Sequence, residues 1–230
     1  MKQIKPVSIS YRERNNFVYD IILFSLNLSR LFYDIKFEGE GNIPKQGPAI
    51  ILPKHQCYSD GLLISWMVKK ETGKRLRFFI KHSLPDFVES LGGIKFITPG
   101  DYKKIVGERG DKEARGYFRQ FNQKSYALLE SYLTNGDMIL IFPEGKLSPK
   151  KISPIKLEGL KYFHKVQERI QKEIPLIPMG IEYGSLYHGK FCLPPNKVRV
   201  RASAPRYFTG KSLEELADDL QNDFRKLCNL

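Results

Sequence analysis

The stretch Ala49-Ile50-Ile51-Leu52-Pro53-Lys54-His55-Gln56-Cys57-Tyr58-Ser59-Asp60 decides how the chain is read. An apolar run too short for a helix turns abruptly polar, the mark of a buried strand that ends in a turn. Ser59 or Asp60 then caps a helix reaching to about Lys70, with Leu62, Leu63, Trp66 and Met67 facing inward. A second stretch repeats the pattern, as Met138 to Ile141 runs into Phe142-Pro143-Glu144-Gly145-Lys146. In open α/β sheets, turns at the carboxyl ends of strands are where reacting groups gather.

The flanking sequence alternates between the same two periods. Ile35 to Phe37, Leu76 to Ile80, Ile94 to Thr98, Ile174 to Ile181 and Val198 to Ala202 read as further strands. Leu84 to Leu91 reads as a short helix, and Gly39 to Gly47 as a turn region. Longer helices are expected near Tyr117 to Leu133, ended by Asn135-Gly136, and from about Ile155 to Gln171. Ser212 and Glu215 form a capping box ahead of Leu213, Leu216, Leu220, Phe224 and Leu227, a final amphipathic helix. Pro99 to Gly116 is polar and aperiodic, which predicts a mobile loop over the sheet. Strands alternating with helices imply an α/β layer architecture.

With 230 residues and 41% hydrophobic content, the chain has material for one core of ordinary size. Lys plus Arg is 38 against 25 for Asp plus Glu, a formal charge of +13 that favours polyanions: nucleic acid, an anionic bilayer or a phosphorylated substrate. Three widely spaced cysteines, Cys57, Cys192 and Cys228, argue against a disulfide framework or a zinc cluster and fit a reducing compartment. Met1 to Glu13 is polar and charged, without the pattern of a signal peptide. Phe17 to Tyr33 is strongly apolar, yet Asp20, Asn27 and Arg30 interrupt it, so it falls short of the ~20 apolar residues of a spanning helix. As a helix it lines Glu13, Asn16, Asp20, Asn27, Arg30 and Asp34 along one narrow stripe. That shape suits a membrane interface, and equally a helix packed on the core with its stripe in water. Residues 1–34 are therefore read as an amphipathic interfacial segment and 35–230 as a single α/β domain.

A helix running through both His55 and Asp60 would set them on different faces, whereas a strand-to-helix turn brings them together. Asp60 then accepts from one imidazole nitrogen, and His55 becomes an outward-facing general base. The alternative makes Asp60 an N-cap and His55 a surface loop residue. At the other turn, Gly145 permits a tight backbone approach, and Glu144 is placed to accept from a substrate hydroxyl or, alternatively, is a solvated end of strand.

HxxxxD in a strand-to-helix turn, FPEG about ninety residues later and Ile174-Pro175-Leu176-Ile177-Pro178 about thirty beyond that resemble blocks one, three and four of the glycerolipid acyltransferase family, which includes 1-acylglycerol-3-phosphate acyltransferases. Lys81 to Gly93 is similar to the stretch before the second block. The resemblance implies a mixed central sheet flanked by helices, like that of glycerol-3-phosphate acyltransferase. It also implies acyl transfer from acyl-CoA or acyl-carrier protein to the hydroxyl of a lysophospholipid, with no acyl-enzyme and no cofactor. His55 would deprotonate the hydroxyl and Asp60 would support the imidazolium. Glu144, Gly145, Lys146 and Lys81 would bind the acceptor. A phospholipid membrane surface is the implied partner, with peripheral or monotopic attachment at its cytoplasmic face, and no nucleic acid is expected.

The chain departs from the family pattern in places. Lys54 stands where Asn often precedes the His, the second block ends without its usual Arg, and Lys146-Leu147 replaces Thr-Arg after FPEG. Two bidentate phosphate contacts are thus missing, leaving Lys146, Lys81, Lys95 or Lys103 as substitute point charges. FPEG followed by Lys is also similar to the tafazzin branch, which transacylates phospholipids. Two rival readings stand beside this one: a non-enzymatic basic module binding nucleic acid or anionic membrane, and a serine or cysteine hydrolase. The aromatics sit mostly at core spacing, against nucleic-acid stacking, and a hydrolase would show a GxSxG elbow or a Cys57 able to face His55; a basic membrane-binding domain stays open as the alternative.

Overall fold

The computed structural model describes residues 17, 19–21, 24, 33–184, 187–188, 191–192 and 196–230. Nine strands alternate with helices among them. The strands are β1 (Tyr33–Glu38), β2 (Ala49–Pro53), β3 (Arg77–Lys81), β4 (Gly93–Phe96), β5 (Met138–Leu140), β6 (Leu176–Tyr183), β7 (Tyr187–His188), β8 (Phe191–Cys192) and β9 (Asn196–Ala202). The helices are α1 (Asp60–Thr72), α2 (Phe87–Ser90), α3 (Pro99–Arg109), α4 (Asp111–Thr134), α5 (Leu157–Ile170) and α6 (Leu213–Cys228). Seven strands form one sheet in the order β1-β9-β6-β2-β5-β3-β4. From β6 through β4 all neighbours are parallel; β9 runs antiparallel to β6 and carries β1 parallel to itself. The sheet is mixed, as expected.

Successive residues of β2 enter opposite cores, because side chains alternate across a strand. Ala49 and Ile51 join Leu63, Ile64 and Met67 of α1 on one face, while Ile50 and Leu52 join Leu129 of α4, Phe163 of α5 and Phe224 of α6 on the other. A central parallel strand buried on both faces reads as one continuous apolar run, which is how β2 looks in the sequence. Each fully buried Ile, Leu or Phe contributes about 1.5–3 kcal/mol of transfer free energy, so the two cores carry most of the drive to fold. The inward set expected for α1 holds for Leu63, Trp66 and Met67; Leu62 is exposed instead, because it lies in the first turn on the side away from the sheet. The Ser212–Glu215 capping box is present as read, with Ser212 Oγ accepting from Glu215 N at 3.2 Å.

The expected loop over Pro99 to Gly116 is helical. Thr98 Oγ1 accepts from Asp101 N, and Asp101 Oδ2 accepts from Thr98 N at 3.0 Å, a second capping box with Pro99 at the first helical position. Gly110, at φ 79°, joins α3 to α4. Ile105 and Ala114 pack with Ile97 and Phe121 in a third apolar cluster. Few apolar residues suffice here, since each helix buries only a narrow stripe. Thr98→Ala should lower the unfolding free energy by about 1 kcal/mol in urea titration, the usual worth of an N-cap; an unchanged midpoint would show the cap to be redundant.

The N-terminal segment lies mostly outside the described residues. Residues 17, 19–21 and 24 are helical. Tyr19 is buried in the α1-side core, and Asp20 bonds Arg75 at 2.5 Å, which holds the Arg75 guanidinium above its ordinary value. Phe17, Ile21 and Phe24, at i, i+4 and i+7, are 73%, 48% and 67% exposed. No helix of the described residues is long and apolar enough to cross a membrane.

Candidate active site

Five parallel strands aim their carboxyl ends at one edge of the sheet. Ile51 is in register with Leu140 of β5, and Leu140 with Phe78 of β3. His55, Glu144 and His82 each lie four residues further on and share that edge. Lys81, the last residue of β3, is exposed there; β5 separates β3 from β2, two strand spacings or about 10 Å.

His55 Nδ1 lies 3.0 Å from Asp60 Oδ2. The carboxylate makes this contact because the turn between β2 and α1 folds around it. Asp60 Oδ2 also accepts from the backbone amides of Gln56, at 2.6 Å, and Cys57, at 2.8 Å. Those amides precede the helix, so Asp60 closes the turn upstream and caps nothing. Ser59 occupies the N-cap position but makes no side-chain cap bond; its hydroxyl contacts Cys57 Sγ at 3.2 Å and Tyr183 Oη at 3.3 Å. The cap alternative for Asp60 is thereby removed. With a carboxylate at Nδ1, the proton resides on that nitrogen and Nε2 carries the free lone pair. The imidazole stacks on Phe142, centroids 3.8 Å apart at 21°, which leaves it 19% exposed while Asp60 is fully buried.

Glu144 is placed differently from its expected seat. It is buried, with Oε2 accepting from Ser153 N at 2.7 Å and Oε1 facing Lys54 Nζ at 3.0 Å, a charge contact without hydrogen-bond alignment. Lys54 is wholly buried as well, and its ammonium donates to the Ser148 carbonyl and reaches the His55 carbonyl at 3.4 Å. Ser148 N in turn donates to that His55 carbonyl at 2.8 Å. The buried pair therefore ties the end of β2 to the loop after β5, and in this structure Glu144 faces the protein rather than open space.

Gly145 has φ 66°, a backbone angle that favours glycine, and the flexible end of the Lys156 side chain lies over it, 2.5 Å from where a Cβ would sit. Lys146 is exposed and lines a shallow cleft with Glu144, Lys156, Glu158, Pro154, Ile155 and Leu157, so two carboxylate residues share the cleft with the two lysines. Of the four lysines considered as point charges, Lys95 is buried and bonded to Asp86, with Glu89 at 3.9 Å, which removes it. Lys103 is exposed on α3.

Several neighbours had no local signal in the sequence. Tyr183, the last residue of β6, donates its hydroxyl to Asp60 Oδ1. Phe142 lay inside the recognised motif, yet nothing there announced its stacking on His55. A second histidine at the same edge, His82, bonds Tyr117 Oη at 3.1 Å, and burial, helped by the Lys95 charge, keeps it below the ordinary imidazole range. Cys57 is buried, and its Sγ accepts from the Ser59 hydroxyl at 3.2 Å. No group of three or more metal-ligating side chains occurs among the described residues.

The arrangement can abstract a proton at Nε2 of His55 and stabilise the imidazolium that results. The family model for Acyltransferase matches residues 34–182, which includes both turns. The fold is similar to that of the crystal structure of the 1-acyl-sn-glycerophosphate (LPA) acyltransferase, PlsC, from Thermotoga maritima. That chain superposes with a TM-score of 0.60 at 22% identity, over 91% of this chain and 78% of that one. No curated protein matches the sequence.

Proposed function

Because the chain belongs to the acyltransferase family, we propose that it moves a fatty acyl group from a thioester, acyl-CoA or acyl-carrier protein, to the hydroxyl of a lysophospholipid, with 1-acylglycerol-3-phosphate the first acceptor to test. The contact of His55 Nδ1 with buried Asp60 at 3.0 Å carries the reading. Nε2 takes the proton of the acceptor hydroxyl as its oxygen attacks the thioester carbonyl. The C–O bond forms, the C–S bond breaks, and the proton passes from the imidazolium to the departing thiolate. Asp60 holds the ring in one tautomer and offsets its transient charge. No step calls for a metal or cofactor. Lys146 and Lys81 are the proposed contacts for an acceptor's phosphate, joined by Lys156, while Glu144 and Gly145 shape the loop that carries Lys146.

Attachment to an anionic bilayer at its cytoplasmic face belongs to the same proposal. The net charge of +13 and the exposed row Phe17, Ile21 and Phe24 support it. The Lys146-Leu147 pair, where the family carries Thr-Arg, opens a second acceptor class. Lysine presents a point charge rather than a guanidinium fork, which suits a phosphodiester headgroup as well as a phosphomonoester.

Labelled acyl-CoA and acyl-carrier protein should be offered with a panel of lysolipids, with His55→Ala as control. Labelled phospholipid formed by the wild type and not by the variant is the expected result, and the panel names the acceptor. Absence of transfer to every lysolipid from either donor would overturn the proposal.

A further inference from the structure

The carboxylate of Asp60 is used on both sides, and only one side belongs to the histidine. Oδ2 receives His55 and two backbone amides; Oδ1 receives the Tyr183 hydroxyl. Tyr183 reaches this point because β6 is parallel to β2, with Pro53 in register with Met179. Four residues beyond that pair, the end of β6 stands beside the turn that carries Asp60. Its half-buried ring packs against the α1-side core, and its hydroxyl also lies 3.3 Å from Ser59 Oγ.

We propose that Tyr183 is a positioning residue which, through Asp60, sets how strongly the carboxylate holds and charges the His55 imidazole. The inference rests on the general-base reading of His55. A hydrogen bond from a phenol to a buried carboxylate is charge-assisted and draws negative charge toward its own oxygen. What Oδ1 yields to Tyr183, Oδ2 no longer offers to Nδ1–H. The phenol thereby tempers the pull on the ring and keeps Nε2 free to accept a proton. It also blocks rotation of the carboxylate, since all its oxygens are committed.

The other groups that face the pair contribute fixed surroundings. Lys54 at the end of β2 reaches the His55 carbonyl. Phe142 covers one ring face. Cys57 is held by Ser59 in the turn. Cys228 of α6 senses both Asp60 and Lys54, and burial pushes its thiol up to about 11, so it stays neutral through the working range. Glu144 acts from behind Lys54. None of these bonds Oδ1.

Proton NMR of the His55 Nδ1–H and the pH dependence of kcat/KM test the proposal together, on Tyr183→Phe and on protein carrying 3-fluorotyrosine at 183. Losing the donor should move the Nδ1–H resonance downfield, and the more acidic fluorophenol should move it upfield. The ratio of Tyr183→Phe to wild-type kcat/KM should fall as pH is lowered and level off at high pH. Resonances that coincide in all three proteins overturn the inference. So does a kinetic ratio that is constant with pH, the result of a purely structural role. The resonance is read without turnover. A wild type inactive toward every lysolipid would therefore defeat the acyl-transfer reading and leave the coupling of Tyr183 to His55 decided by NMR.

Discussion

His55→Ala should cut acyl transfer by roughly 10²- to 10⁴-fold, the usual worth of a general base, with the fold left intact. Only proton abstraction leaves with the imidazole. Asp60 keeps three donors, the amides of Gln56 and Cys57 and the Tyr183 hydroxyl, so the turn that defines the site stays closed. The stack on Phe142 is lost, but the ring is near the surface and its removal opens no sealed cavity. Initial rates at saturating acceptor, with the circular dichroism spectrum as a fold control, make the comparison. A variant that turns over at the wild-type rate would remove His55 from the chemistry and leave its contact with Asp60 a matter of packing.

Glu144→Ala should be the most destabilising single change at the site, by about 3–5 kcal/mol in denaturant titration, because one member of a buried ion pair is left without the other. Lys54 and Glu144 are both fully shielded from water. Without the carboxylate, the ammonium keeps only the Ser148 and His55 carbonyls, and the Ser153 amide loses its acceptor. The double variant Lys54→Met, Glu144→Leu should recover much of the loss, since apolar groups of similar volume replace such pairs at little cost. If Glu144 instead receives the acceptor, Glu144→Ala will hold its stability and lose activity alone. The two outcomes separate a residue that shapes the loop from one that touches substrate.

The same pair explains why Lys stands before His55, where the resembled family often has Asn. Its position was plain in the sequence; its partner was not. Residues 54 and 144 meet only because β5 pairs with β2 in a register that matches Ile51 with Leu140. In Pro99 to Gly116, which is helical where the pattern predicts a loop, the relation is reversed. Thr98 and Asp101 are spaced as a capping box and Pro99 follows the cap, so a start signal was present locally. It was outweighed by the sparse apolar pattern, because Tyr102, Ile105 and Val106 cover less than two full turns before Gly110 interrupts them.

Local order along the chain determined the strands, the helices with strong periodicity and the turn that sets His55 beside Asp60. Five residues confined to one turn have few ways to fold, so spacing and residue type carry that information. Tertiary structure alone decided that Tyr183 bonds Asp60 from 123 positions away, that Glu144 turns inward to Lys54, and that Lys95 is spent on Asp86. These contacts depend on strand order, on register and on which groups burial forces to pair. No period within a segment encodes any of the three.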